Sequence, residues 1–345
     1  MLEIPVIPSK DLSPNALAPL LEPALTTTGF LCLDIKGHPL LEQSNRVFGI
    51  SKRFFAEEKE EDKMRCRIGN DNRGYGKLGT ETLDPEKDEV GDVKEFFNMG
   101  LFNQSNGKYT TKQSLPSVLS EGVNEIGRFQ ELCHDFCQSL LNALAVSLSL
   151  DTSFFSSQHT YSSASVSTLR LLYYPPSTAT SSASETKISS RAGAHSDYGS
   201  LTLLFQTPSG SNGLEILPPG SKEWTPVNVP PDCVLVNVGD ALEFWTGGKF
   251  KSTLHRVTAG PNGGDGAGAE RWSIAFFDQP DKEVPLVVGD GTVGVNEIDE
   301  AEKKRLEAKG VKLGERITAG EHLERRLNAT YGELRKGGGK VEIMT

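Results

Sequence analysis

Between Val166 and Phe277 the chain is cut into short stretches of alternating side chains, and this pattern limits the fold more than anything else in it. Val166, Thr168, Arg170, Leu172 and Tyr174 share one parity, and Leu169, Leu171 and Tyr173 share the other. Further strand-like runs are Leu201–Gln206, Leu214–Leu217, Trp224–Val229, Cys233–Val238, Leu242–Trp245, Ser252–Thr258 and Trp272–Phe277. Pro175-Pro176, Pro218-Pro219-Gly220 and Gly247-Gly248 stand between them as turn residues. About eight short strands in roughly 110 residues cannot bury both faces as one flat sheet, so a double-sheet barrel or jelly roll is expected.

The flanking segments read differently. Leu12–Leu25 and Leu40–Phe55 carry apolar residues at helical spacing, around a strand at Gly29–Ile35. Ser120–Leu150 reads as one long amphipathic helix that backs the sheet. Near the C-terminus Thr318 and Glu321 fit a capping box, and Leu323 and Leu327 line one face of the helix that follows. The expected organisation is a mixed α/β region over 1–115, a backing helix and connection over 116–165, a catalytic core over 166–280 and a helical segment over 281–345. A Ser-rich stretch, Pro175–Ser190, and a Gly-rich one, Gly260–Gly268, read as inserted loops.

Charge excludes some partners. With 36 basic and 46 acidic residues the net charge is -10, so nucleic acid and anionic membrane are not expected partners. MLEIPVIPSKDLSP has neither the basic nor the apolar region of a secretory signal, and the apolar run Leu140–Leu150 is too short to span a bilayer. The expectation is a cytoplasmic protein whose Cys133 and Cys137 are reduced core thiols.

The chemistry begins at His195-Ser196-Asp197. On extended backbone, residues two apart point the same way, so this histidine and this carboxylate can hold one cation. His255, in the run STLHRVT, completes a three-ligand face from another strand. Two histidines and one carboxylate leave coordination positions open, which suits non-haem Fe(II); Zn²⁺ accepts a similar set. Arg271 and Ser273 again lie two apart on a strand, where a guanidinium and a hydroxyl make a carboxylate clamp. A metal face beside such a clamp fits a 2-oxo dicarboxylic acid, chelated at one end and gripped at the other.

Taken in order, these segments resemble the Fe(II)/2-oxoglutarate-dependent dioxygenases of the isopenicillin N synthase-like family, in their fungal form. The segments are IPVI, TTTGFLCLDIKGHPL, FFAEEKEE, NRGYGKLG, DVKEFFNMG, LYYPP, AHSDYGSLTLLFQ, GLEIL, STLHRV, RWSIAFF and HLERRLNATY. The resemblance implies a distorted double-stranded β-helix (jelly roll), mainly β with flanking helices. It implies Fe(II) on His195, Asp197 and His255, with 2-oxoglutarate on Arg271, Ser273 and Tyr174. It implies O₂ as co-reactant, ascorbate as an optional reductant, and Phe277, Tyr75 and Phe97 as contacts for a planar or apolar small molecule. The chain departs from many relatives at Leu172, where they carry Asn.

Plainer roles are expected of other residues: His38 as a turn residue, His134 on a helix surface, Arg170 as a structural ion-pair partner. The expected reaction is hydroxylation or desaturation of a small organic molecule with release of succinate and CO₂. The alternatives are an oxidase of the same family that works without 2-oxoglutarate, and a zinc hydrolase built on the same triad. The latter leaves Arg271 and Ser273 without a task.

Overall fold

Strand and helix limits come from a computed structural model that describes residues 4–81, 83, 92–162, 164–176, 190–207, 213–258, 270–286, 300–307, 309 and 315–337. The Gly-rich stretch and residues 177–189 of the Ser-rich stretch lie outside the described residues. In chain order the strands are β1 (Val6–Pro8), β2 (Phe30–Asp34), β3 (Gly74–Gly76), β4 (Glu95–Gly100), β5 (Asn103–Ser105), β6 (Lys108–Thr110) and β7 (Thr168–Tyr174). They continue as β8 (Ser190–His195), β9 (Leu201–Gln206), β10 (Leu214–Leu217), β11 (Thr225–Pro226), β12 (Cys233–Val238), β13 (Leu254–Thr258) and β14 (Arg271–Asp278). The helices are α1 (Pro14–Thr27), α2 (Pro39–Glu57), α3 (Glu60–Arg65), α4 (Ser117–Glu121), α5 (Val123–Ser147), α6 (Asp240–Trp245), α7 (Glu300–Glu307) and α8 (Ala319–Gly337).

Two sheets make the jelly roll. The large one runs β1-β2-β12-β9-β14-β7-β4-β3 and the small one β11-β10-β13-β8, while β5 and β6 form a separate hairpin. Each central strand of the large sheet is buried on both faces, because its two side-chain parities meet different partners. Leu169 and Leu171 of β7, Leu203 and Phe205 of β9, and Ile274 and Phe276 of β14 belong to one core with α1, α2 and α5. Leu172, Tyr174, Leu235, Ala275 and Phe96 face the small sheet, where they meet Ala192, Ile216 and Val257 in a second core. Burying both faces gives the sheet its stability, at roughly 25 cal/mol per Å² of apolar surface. It also leaves the inward parity free to build a site.

The helix ends follow local chemistry. Proline opens both α1 and α2, where its missing N–H is not needed, and His38 Nδ1 accepts the Leu40 N–H at 3.2 Å to cap α2. The capping box forms as read: Thr318 N–H donates to Glu321 Oε2 at 2.9 Å, and Glu321 N–H to Thr318 Oγ1 at 3.2 Å. Leu242–Trp245, expected as a strand, is instead part of α6, whose six residues are all buried. A run of four residues is too short for its period to separate a buried strand from a buried helical turn. Trp224–Val229 shrinks to the two-residue β11, since Pro226 has no N–H for a longer ladder. His134, expected on a helix surface, is buried against Tyr161 with ring centroids 5.4 Å apart.

Candidate active site

The site starts from one cross-strand pair. β13 and β8 run antiparallel with His255 opposite His195, so both imidazoles project to the same side. Their ring centroids are 4.3 Å apart. Asp197 follows just past the end of β8, and its Oδ1 lies 3.9 Å from His195 Nε2 and 3.7 Å from His255 Nε2. The donor atoms of the three residues all fall within 4.8 Å of one another, a unique arrangement of this kind among the described residues.

Every other polar atom of the triad is occupied. His195 Nδ1–H donates to the Gly193 carbonyl at 2.8 Å, and His255 Nδ1–H to the Thr253 carbonyl at 3.1 Å. Both rings are thereby held as the tautomer whose Nε2 lone pair faces the shared point. Asp197 Oδ2 accepts from Thr202 Oγ1 and from Asn237 Nδ2, each at 2.7 Å, which leaves Oδ1 for a cation. Burial, then the neighbouring His255, push the His195 pKa down to about 3, so the ring is neutral and able to ligate. Burial alone would raise Asp197, but His255, His195 and the hydrogen bonds from Asn237 and Thr202 outweigh it and hold the carboxylate ionised. Two imidazole nitrogens and one carboxylate oxygen suit a divalent ion, and Fe(II) fits this donor set.

The clamp lies in the same cavity, on β14. Arg271 and Ser273 point inward beside the triad, with Tyr174 opposite Arg271 in the strand register. The Arg271 guanidinium carbon sits 4.8 Å above the Tyr174 ring, and its Nη1 donates to Ser273 Oγ at 3.4 Å. Arg271 is 2% exposed and its Nε–H has no partner among the described residues, a buried donor that a ligand's carboxylate would satisfy. Leu172 lines this cavity too, so at this position the chain offers 2-oxoglutarate an apolar wall where many relatives have an amide.

On the other side of the triad the cavity opens into a second chamber. Phe277, which the family resemblance implies as a substrate contact, lines both chambers. Tyr75 and Phe97 do not reach either one: they pair across β3 and β4 and pack into the helix-facing core, where Phe54 meets both rings. The cause is parity. Phe96 is the inward residue of β4, which turns its neighbour Phe97 outward. Sequence reasoning missed Leu323 and Leu327 of α8 as walls of this chamber, although their helical face was visible. It also missed β8, because SRAGAH carries no alternating pattern. Arg170, expected as an ion-pair partner, does pair with Glu81 at 3.0 Å, and both also line the chamber.

Two family models divide the chain along these lines. Residues 165–280 match the 2OG-Fe(II) oxygenase superfamily, and residues 4–142 match the non-haem dioxygenase in morphine synthesis N-terminal model. UPF0676 protein C1494.01 of Schizosaccharomyces pombe is 34% identical over 337 residues, 96% of this chain and 94% of the relative. Proline hydroxylase buaE of Petromyces alliaceus is 32% identical over 325 residues, covering 89% of this chain and 91% of the relative. The chain belongs to the 2OG-Fe(II) oxygenase superfamily. A crystal structure of a full-length Neurospora crassa protein in complex with alpha-KG and thymine superposes with a TM-score of 0.72 at 27% identity, over 94% of this chain and 96% of that one. As a 2OG-Fe(II) oxygenase, the protein is an oxidoreductase that uses iron, 2-oxoglutarate and O₂ on a small molecule. No helix among the described residues is long and apolar enough to cross a membrane.

Proposed function

We propose that His195, Asp197 and His255 hold the iron, that Arg271, Ser273 and Tyr174 hold 2-oxoglutarate, and that the second chamber takes a planar small molecule with a polar edge. The observation that carries this reading is the shared cavity. The His195/Asp197/His255 face, a buried guanidinium with an unmet donor and an aromatic wall all line it. When bound, the iron couples oxidative decarboxylation of the 2-oxo acid to hydroxylation or desaturation of the substrate, with succinate and CO₂ released.

The chain supplies the rest. Arg271 and Ser273 grip the distal carboxylate, and the Tyr174 ring beneath the guanidinium keeps that grip flat. Leu172, Leu204 and Val257 keep water from the cosubstrate. On the substrate side Phe277 offers a ring face, Leu323 and Leu327 an apolar cover, and Asn72 and Gln279 polar atoms for an edge. The thymine in the Neurospora crassa complex has this character. We read the four sequence stretches as one catalytic unit, since β2 and β4 share the large sheet with β14 while α8 covers the chamber. Five unpaired cysteines support a cytoplasmic setting.

The test is substrate-stimulated succinate formation by iron-loaded enzyme, across planar heterocycles, aromatic acids and linear aliphatic acids. Stimulation by planar compounds is expected. Stimulation by aliphatic chains alone would overturn the substrate reading, and succinate-free turnover without 2-oxoglutarate would overturn the assignment of Arg271 and Ser273.

A further inference from the structure

Within the cavity wall lies a cluster of charge that neither the iron face nor the clamp requires. Lys94 Nζ sits 3.0 Å from Glu81 Oε2 and 2.6 Å from Asp92 Oδ2, and all three side chains are almost completely buried. Arg170 Nη2 lies 3.0 Å from Glu81 Oε1, and Arg170 Nε donates to Asn98 Oδ1 at 2.7 Å. Two carboxylates and two cations cancel. Such a set is expensive to bury and adds little stability over apolar packing, which raises the question of what it does there.

One contact leaves the cluster towards the iron face. Asp92 Oδ1 accepts the Gly193 N–H at 3.0 Å. The Gly193 carbonyl, in turn, is the acceptor that orients His195 Nδ1–H. Gly193 is thus held from both of its peptide groups, at the residue that sets the rotation of one imidazole. The two oxygens of Asp92 divide the work: Lys94 occupies Oδ2, so Oδ1 is the one turned to Gly193.

We propose that Asp92 and Lys94 are positioning residues for His195, and that Glu81 ties them to Arg170 on the substrate wall. The inference rests on His195 being an iron ligand. Outer partners of metal-bound histidines typically set affinity by about 10-fold to 100-fold.

The test is an anaerobic Fe(II) titration of metal-free protein in the presence of 2-oxoglutarate, followed by visible absorption, with near-UV circular dichroism confirming the fold. In Asp92→Asn a single amide oxygen must serve either Lys94 or Gly193, and the ammonium takes it, so Fe(II) affinity falls by about 10-fold. In Asp92→Asn/Lys94→Met that oxygen is released to Gly193, and affinity returns to within about threefold of the unchanged chain. Asp92→Ala/Lys94→Met has the same charge but no acceptor, and stays weak. A purely structural role predicts no recovery in the first double variant. Native affinity in folded Asp92→Asn, or equal affinity in the two double variants, overturns the proposal. If the single variant does not fold, the two charge-matched double variants decide alone. Failure of the unchanged chain to bind Fe(II) would remove the ligand role of His195 itself, and the positioning role with it.

Discussion

Arg271 shows how much one side chain can carry. Its guanidinium is buried, stacked on Tyr174, and keeps one donor unmet. Lysine offers a point charge without the planar fork, so Arg271→Lys is not a mild change here. We expect it to raise the 2-oxoglutarate concentration for half-maximal succinate formation by about 100-fold, near 3 kcal/mol, while Fe(II) binding to metal-free enzyme stays within about twofold. The two phenylalanines read as site contacts should now part company. Phe277→Ala is expected to raise the substrate KM by about 10-fold with little change in Tm. Phe97→Ala is expected to cost about 3–5 kcal/mol of stability, seen as a lower denaturant midpoint, with substrate KM unchanged in the folded protein. That His195 and Asp197 share one side, and Arg271 and Ser273 another, was legible in the sequence because spacing by two is a local rule that tertiary structure did not override. The Tyr75 and Phe97 roles were not. In KEFF two adjacent phenylalanines occupy opposite faces of a sheet buried on both sides, and nothing in residue type says which one faces the cavity.

At the scale of elements, α6 and the C-terminal helices are bound to the site by buried charge. Asp240 accepts from Ser196 Oγ at 3.0 Å and from Ser252 Oγ at 2.7 Å, and its N–H donates to the Asp197 carbonyl at 2.7 Å. Lys309 Nζ bridges Asp240 at 2.9 Å and Glu243 at 2.5 Å, while Arg305 also reaches Glu243 and Arg326 stacks on Tyr198. The loop bearing Asp197 and the helix covering the chamber therefore share one anchor. Lys309→Met leaves two buried carboxylates short of a partner. It is expected to destabilise the fold by about 3–5 kcal/mol, read by chemical denaturation, and to raise succinate formation that is not matched by substrate oxidation. The capping box of α8 was visible three residues apart in sequence. Its anchor was not, because Asp240, Glu243 and Lys309 come together only once the jelly roll has closed. The run at Leu242–Trp245 misled for a related reason: every residue of α6 is buried, its two acids included, so no exposed face marks its period.

For the molecule as a whole, acid should act first through histidines that are buried uncharged. Burial pushes both His159 and His322 down to about 4. Between about pH 6.5 and 4 the unfolded chain binds protons at these positions that the folded chain refuses, so stability falls as pH falls through that window. The two together amount to a loss of several kcal/mol at most. Melting temperature should decline steadily from pH 7 to 4.5, and a double His159→Gln/His322→Gln variant, weaker overall, should show a flatter decline over that interval. An unchanged slope in the double variant would move the effect to other groups. Glu81, which burial alone would raise but which Arg170 and Lys94 hold at about 2, should stay ionised throughout and contribute only below that window.

The two-sided large sheet also bears on how such an enzyme diversifies. Along β7 and β14 one parity meets the helices and the other lines the cavity, so the two sets of positions answer to separate selective demands. Variation confined to Phe277 of the inward set, together with the α8 positions Leu323 and Leu327, can explore new substrates while Leu169, Leu171, Ile274 and Phe276 go on holding the scaffold. A combinatorial library drawn on those three chamber positions should keep a high proportion of folded members. The same number of changes on the outward parity should leave few. One strand thus lets a lineage change its chemistry without renegotiating its architecture.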